Sequence, residues 1–538
     1  MPPIRVPPIA VPPIRQHGIG ALPARAIAAA VLAAALLACC LAACTGSGGA
    51  GSRRSAASEG QGAAALHWHS CPAAVQGPPA GRTLRCAMLG VPLDYRRPDG
   101  RKISLALSEI PATAPASQQQ GVLLVNPGGP GASGLSLAAQ VAGGLSPSVS
   151  ADYDIVGFDT RGVGASVPAL SCDPSFFARP RPEYVPASAA GEQALIDRAR
   201  QYAADCEQRF GWLLPYMTTQ DMARDLDSIR AALGQQRISY LGYSYGTYLG
   251  QVYATMFPDR VKRMVLDSVV DPDGVWWEDN VMQDYAFQGR MDAFFAWTAA
   301  NDDVFHLGGT SAQVQASFAE ASARLEADPI AGPQGPVLGP DELSDTFLVG
   351  AYSNTFWPDL ATSLAYYLQS GNTSDLLAVY QAVGAQGENE FAVYNAVECS
   401  DAAWPRNWAY WNAETRIIAA KAPYETWANA WFNAACAFWP VKAATPTRID
   451  GNGLPPILML QGTLDGATPY QGALVARRLL PSARMVVVVG GGNHGQSLGS
   501  PPNPCVMGYL NRYLGNGTLP GSSALVSATC PALPPPAA

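Results

Sequence analysis

Histidine is scarce in this chain, with five copies in 538 residues. One of them, His17, lies in an N-terminal stretch that reads as removable, so imidazole chemistry has few places to sit. Charged residues make up only 14%, and acids outnumber bases 42 to 34, for a formal net charge of −8. That balance excludes nucleic acid as a partner. No cysteine couple has the two-residue spacing of a zinc site, so neither a metal nor another cofactor is implied. His67 and His69 flank Trp68 and share one strand face, which is read as structural rather than metal-binding.

The N-terminus has three arginines and no acidic residue before Cys44. The apolar run Ala26 to Ala43 then reads as a secretory signal rather than a spanning helix. It ends in Leu41-Ala42-Ala43-Cys44, which resembles a bacterial lipobox; Leu36-Leu37-Ala38-Cys39 is a poorer site. The expectation is a signal over residues 1–44 and a lipid anchor to the membrane at Cys44, with a plain cleaved signal as the other reading. Residues 45–66, rich in Gly, Ser and Ala and without an aromatic, read as a flexible tether. Loss of the signal takes the net charge from −8 to −11.

Eight cysteines remain: Cys71, Cys86, Cys172, Cys206, Cys399, Cys436, Cys505 and Cys530. Eight allow 105 pairings, but these fall into four neighbouring couples, and local pairing is the expectation. A loop the size of Cys71 to Cys86 would gain roughly 3 kcal/mol from closure.

Strand-like runs at Ile103 to Ile110, Val122 to Asn126, Asp154 to Phe158, Ile238 to Tyr243 and Met264 to Val269 alternate with helical stretches such as Thr219 to Leu233. That alternation predicts an α/β fold with a mostly parallel sheet flanked by helices. After Asp271-Pro272 the strands stop until Pro456. The expected organisation is a core over residues 67–271 and 451–538, interrupted by a helical cap at 272–450. The cap holds ten of the twelve tryptophans, most of which should pack cap helices while a few line an apolar cleft.

Within this frame, Gly242-Tyr243-Ser244-Tyr245-Gly246 follows a strand and opens a helix, the setting of a nucleophile elbow. Its glycines would tolerate the close approach and positive φ of so tight a turn. Asn126-Pro127-Gly128-Gly129-Pro130-Gly131 leaves another strand and could turn the Gly129 N–H, with that of Tyr245, toward an oxyanion; an ordinary βα turn is the bland reading. Asp159 and Arg161 are read as bracing a third strand exit. Asp465 and His494 follow two further strands, and the order Ser244, Asp465, His494 is that of an α/β hydrolase.

These segments resemble the α/β-hydrolase peptidases of the proline iminopeptidase and tripeptidyl aminopeptidase family, from about Leu84 to Cys530. Asn126-Pro127 stands where proline iminopeptidases carry a histidine, and the C-terminal region from Gln461 looks like that of tripeptidyl aminopeptidases. The resemblance implies an α/β-hydrolase fold with an inserted helical cap, and a serine aminopeptidase acting on peptides with a free N-terminus. It also implies cap carboxylates that receive the substrate's α-ammonium, for which Glu398 and Asp401 are the candidates. A carboxylesterase or lipase using the same triad, and a catalytically silent surface binding protein, are the alternatives.

Overall fold

The computed structural model describes residues 66–538 apart from 76, 78–80, 180, 333–334 and 386. Cys44, the signal and all but the last residue of the tether lie outside the described residues.

The described residues form twelve strands: β1 (His69–Ser70), β2 (Arg85–Pro92), β3 (Lys102–Ile110), β4 (Gly121–Asn126), β5 (Tyr153–Phe158), β6 (Ile238–Tyr243), β7 (Val261–Asp267), β8 (Ile330–Gly332), β9 (Gly335–Leu338), β10 (Ile457–Gly462), β11 (Arg484–Val489) and β12 (Ala528–Pro531). Ten form one sheet in the order β1-β2-β3-β5-β4-β6-β7-β10-β11-β12. The first three pairings are antiparallel. From β5 onward every pairing is parallel. Burial on both faces suits parallel strands, and the side chains divide by alternation. Val122, Leu124, Ile238, Tyr240, Ile457 and Met459 join one apolar core. Leu123, Val125, Leu241, Tyr243, Leu458 and Leu460 join the other.

The order reverses at β4, which lies between β5 and β6 with Asn126 opposite Gly242. Loops leaving β4 and β6 therefore emerge side by side at the carboxyl edge, where α/β sheets hold their ligands.

Between β7 and β10 the chain is mainly helical, with long helices at Trp277–Ala300, Ser311–Ala327, Pro340–Tyr352, Trp357–Ser370 and Glu388–Asp401. The expectation of helices alone misses the antiparallel hairpin β8–β9. Phe294, Phe347, Trp357 and Leu360 build a core of this insert's own. Tryptophans pack on one another, with Trp408 stacked on Trp431 at 4.5 Å and Trp404 on Trp411 at 5.6 Å. All four expected cysteine couples are closed as disulfides: Cys71–Cys86, Cys172–Cys206, Cys399–Cys436 and Cys505–Cys530.

Candidate active site

Ser244 occupies the turn between β6 and the helix Tyr245–Met256, with φ 56° and ψ −129°. A positive φ on a residue with a side chain costs on the order of 1–3 kcal/mol, a strain that surrounding structure must hold. The sequence expectation placed this φ on the glycines; it falls on Ser244 itself. Gly242 and Gly246 serve close approach alone: a Cβ on the first would strike the Gly246 carbonyl, and one on the second would lie 2.7 Å from Asn126 Oδ1. The Ser244 N–H donates to the Asp267 carbonyl at 3.1 Å, pinning the turn to the next strand.

The β4 loop lies against this turn. Asn126 Oδ1 accepts from the Gly128 N–H at 3.0 Å. Gly128 has φ 99°, and a Cβ there would sit 2.6 Å from the Tyr243 carbonyl and 2.9 Å from Ser244 Cβ. Gly129, Ser244 and Tyr245 consequently line one cavity. As the first helical residue, Tyr245 carries an N–H that no carbonyl of its own helix can accept.

His494 Nδ1 lies 2.9 and 3.1 Å from the two carboxylate oxygens of Asp465. Asp465 is buried and its Oδ1 also accepts from the N–H groups of Ala467 and Thr468, both at 3.0 Å. Those bonds orient the acid, and the acid orients the imidazole. Nε2 of His494 is buried and makes no hydrogen bond, to Ser244 Oγ or to any other described residue. Burial pulls the imidazole's pKa down; the charge and hydrogen bond of Asp465, with Asp267 behind, outweigh that and leave it above 6.5.

Asp267 escaped the sequence reading. Its carboxylate accepts from the N–H groups of Gln496 at 2.7 Å and Ser497 at 2.9 Å and from Ser497 Oγ at 2.5 Å. Burial outweighs these bonds and pushes it up to about 6. Ser268 Oγ takes the Gly495 N–H at 2.8 Å. The end of β7 thus supports Ser244 through a carbonyl and the turn after His494 through a carboxylate. An acid at a strand exit, as at Asp465, was the available signal.

The cavity above Ser244 measures about 630 Å³ and is walled mainly by the insert. Trp276 is its sole tryptophan and packs on Tyr248 at 5.0 Å. Every charged lining side chain is an acid: Asp271, Asp279, Asp345, Glu390, Glu398 and Glu425. Glu398 is buried, accepts from Asn280 Nδ2 at 3.2 Å, and is pushed well above the ordinary carboxyl range by burial. Asp401 is a correction. It does not line the cavity, because its carboxylate turns to Thr219, accepting from the N–H at 2.7 Å and from Oγ1 at 2.5 Å.

Asp159 and Arg161 both brace loops, but with different partners. Asp159 accepts from Ser133 Oγ at 2.6 Å and the Gly134 N–H at 3.0 Å, while Arg161 forms a buried bidentate pair with Asp225 at 2.7 and 2.8 Å. His67 and His69 are exposed. Among the described residues no group of three or more His, Cys, Asp or Glu side chains is arranged to hold a metal ion.

The family model described as the alpha/beta hydrolase fold matches residues 121–500. Tripeptidyl aminopeptidase of Streptomyces lividans is 42% identical over 466 residues, covering 84% of this chain and 85% of that protein. Serine protease Hip1 of Mycobacterium tuberculosis is 33% identical, covering 82% of this chain and 86% of that protein. A protein of the same organism named carboxylesterase B is 34% identical, covering 85% and 89%.

Proposed function

Because the chain belongs to the α/β-hydrolase family, we propose that it is a serine aminopeptidase that releases short N-terminal peptides through an acyl-enzyme. Ser244 attacks the scissile carbonyl while His494 takes its proton at Nε2, the nitrogen left free when Nδ1 is held by Asp465. The N–H groups of Gly129 and Tyr245 receive the oxyanion. His494 then protonates the leaving amine, and water repeats the sequence to free the acylated peptide. Asp465 stabilises the imidazolium. No cofactor enters this chemistry.

The observation that carries the aminopeptidase reading is the acid-walled cavity into which Ser244 opens. Glu398, with Asp279 and Asn280 beside it, offers an acceptor set for the three donors of an α-ammonium. A buried ammonium with such partners is favourable, and one that is missing leaves a penalised acid. Likeness to tripeptidyl aminopeptidase favours three residues per cleavage.

The relative named carboxylesterase B favours a second reading, ester hydrolysis by the same residues. Fluorogenic aminoacyl, dipeptidyl and tripeptidyl amides, each with an N-acetylated twin, decide between them when run beside simple aryl esters. Acetylation should depress kcat/KM for peptides strongly, and Glu398→Gln should reproduce that loss while sparing esters. Equal rates for a tripeptidyl amide and its acetylated twin would reject aminopeptidase action.

Four disulfides mark an exported protein. Among the described residues no helix is long and apolar enough to cross a membrane. A diacylated Cys44 is the anchor that the lipobox-like Leu41-Ala42-Ala43-Cys44 supports.

A further inference from the structure

Three acids in the cavity wall have no partner, and of these only Glu425 is buried, Glu390 being exposed and Asp279 half-buried. Glu425 is 8% exposed and lines the cavity, yet its carboxyl makes neither a hydrogen bond nor an ion pair with any described residue. The other buried acids of the wall differ. Asp345 is neutralised by Arg181 Nη2 at 2.8 Å and receives the Tyr184 hydroxyl at 2.9 Å, and Glu398 has Asn280. The backbone at Glu425 is fixed: the Tyr424 hydroxyl donates to the Ser344 carbonyl at 2.9 Å, and the helix Thr426–Asn433 starts immediately after. The carboxyl is therefore held in place and left open to the cavity.

Burying an unpaired acid is unfavourable, so such a group is matched to something that arrives. Burial, with Asp345 and Asp284 nearby, pushes Glu425 well above the ordinary range, whereas the acid that perturbs Glu398 is Asp401. Different elements carry the two carboxyls: Glu398 lies on the helix Glu388–Asp401 and Glu425 precedes Thr426–Asn433. The Tyr352 hydroxyl, pushed up first by burial, feels both of them and Asp465, which keeps Glu425 within electrostatic reach of the ring packed on His494. The three donors of an α-ammonium are already met by Glu398, Asp279 and Asn280 in the proposed reading, which leaves Glu425 for another cation. Among the described residues no Lys, Arg or His lines the cavity to neutralise it.

We propose that Glu425 anchors a second anionic subsite, which takes the cationic side chain of a lysine or arginine among the residues released. This rests on the aminopeptidase reading of the same cavity.

The test uses the full chain and tripeptidyl amides in which each released position in turn carries lysine or its uncharged analogue norleucine, with free and acetylated N-termini. Wild type should prefer lysine at one position by roughly 10- to 100-fold in kcat/KM, the range of a charged hydrogen bond. Glu425→Gln should bring that ratio near one, whereas Glu398→Gln should lower both rates and keep the ratio. Equal wild-type rates for lysine and norleucine at every position would overturn the subsite, and that comparison stands even if the variant fails to fold. A folded Glu425→Gln enzyme that keeps the lysine preference would overturn it too. So would one whose norleucine substrate loses as much as the lysine substrate, since Glu425 would then be receiving the α-ammonium. Indifference to acetylation is a separate result that removes the aminopeptidase reading, and the lysine to norleucine ratio still decides the subsite.

Discussion

The main-chain N–H of His494 donates to the carbonyl of Tyr352 at 2.8 Å, and the Tyr352 ring meets the imidazole edge-on at 5.5 Å. Tyr352 ends the insert helix Pro340–Tyr352, so the proposed base is fixed by the insert as well as by the sheet. Tyr352→Ala keeps the main-chain bond and removes the ring. Steady-state kinetics should show kcat for an aryl ester falling about tenfold, through misplacement of the imidazole rather than loss of a reacting group. An unchanged kcat would make the ring contact incidental.

Ser244→Ala should leave a folded protein with kcat lower by up to ~10⁶-fold, and a fluorophosphonate probe should label wild type alone. Labelling of the variant would move the nucleophile elsewhere.

The pH dependence has a definite sign. His494 must be neutral to accept a proton, and its pKa lies above 6.5, so kcat/KM for an aryl ester should rise with pH through a value above 6.5. The Asp267 charge contributes to that elevation. Asp267→Asn should shift the acid limb to lower pH, and a limb that stayed in place would deny the coupling. For stability the sign is opposite: a raised imidazole favours the fold below its unfolded pKa, and that contribution is lost as pH rises through the folded value.

Thiol titration under denaturing, non-reducing conditions should detect no free cysteine among the eight of the described chain. Replacing Cys399 and Cys436 together by serine should cost about 2–5 kcal/mol in denaturant melts, the usual effect of a lost native disulfide. A change within a few tenths would show that packing of the insert suffices.

Cys44→Ala should release the protein from membranes and leave the rate of the soluble enzyme as it was. Mass spectrometry of the mature N-terminus checks the same point, and an unmodified residue after Ala43 would end the lipid-anchor proposal.

Much of this arrangement was legible in the chain because its signals are local. The elbow at Ser244 shows as strand, glycine pair and helix within a few residues, and each disulfide joins neighbours. Other parts depend on contacts distant in sequence. β2 carries Gly90 within it and ends at Pro92, and it owes its place to antiparallel pairing with β3. Arg161 finds Asp225 rather than the nearby Asp159. Glu398 and Asp401 lie three residues apart on one helix, yet one faces the cavity and the other Thr219. Only the packing of Glu388–Asp401 decides which. Glu425 has no local signature, since its distinction is burial without a partner.

The acid-only wall also bears on turnover. In the proposed reaction, hydrolysis of the acyl-enzyme converts a neutral carbonyl into a carboxylate beside Ser244, and among the described residues no cationic side chain lines the cavity to retain it. In the proposed reading a cleaved peptide thus keeps a partner at its α-ammonium and finds none at its new carboxylate, so the wall favours the precursor over the product.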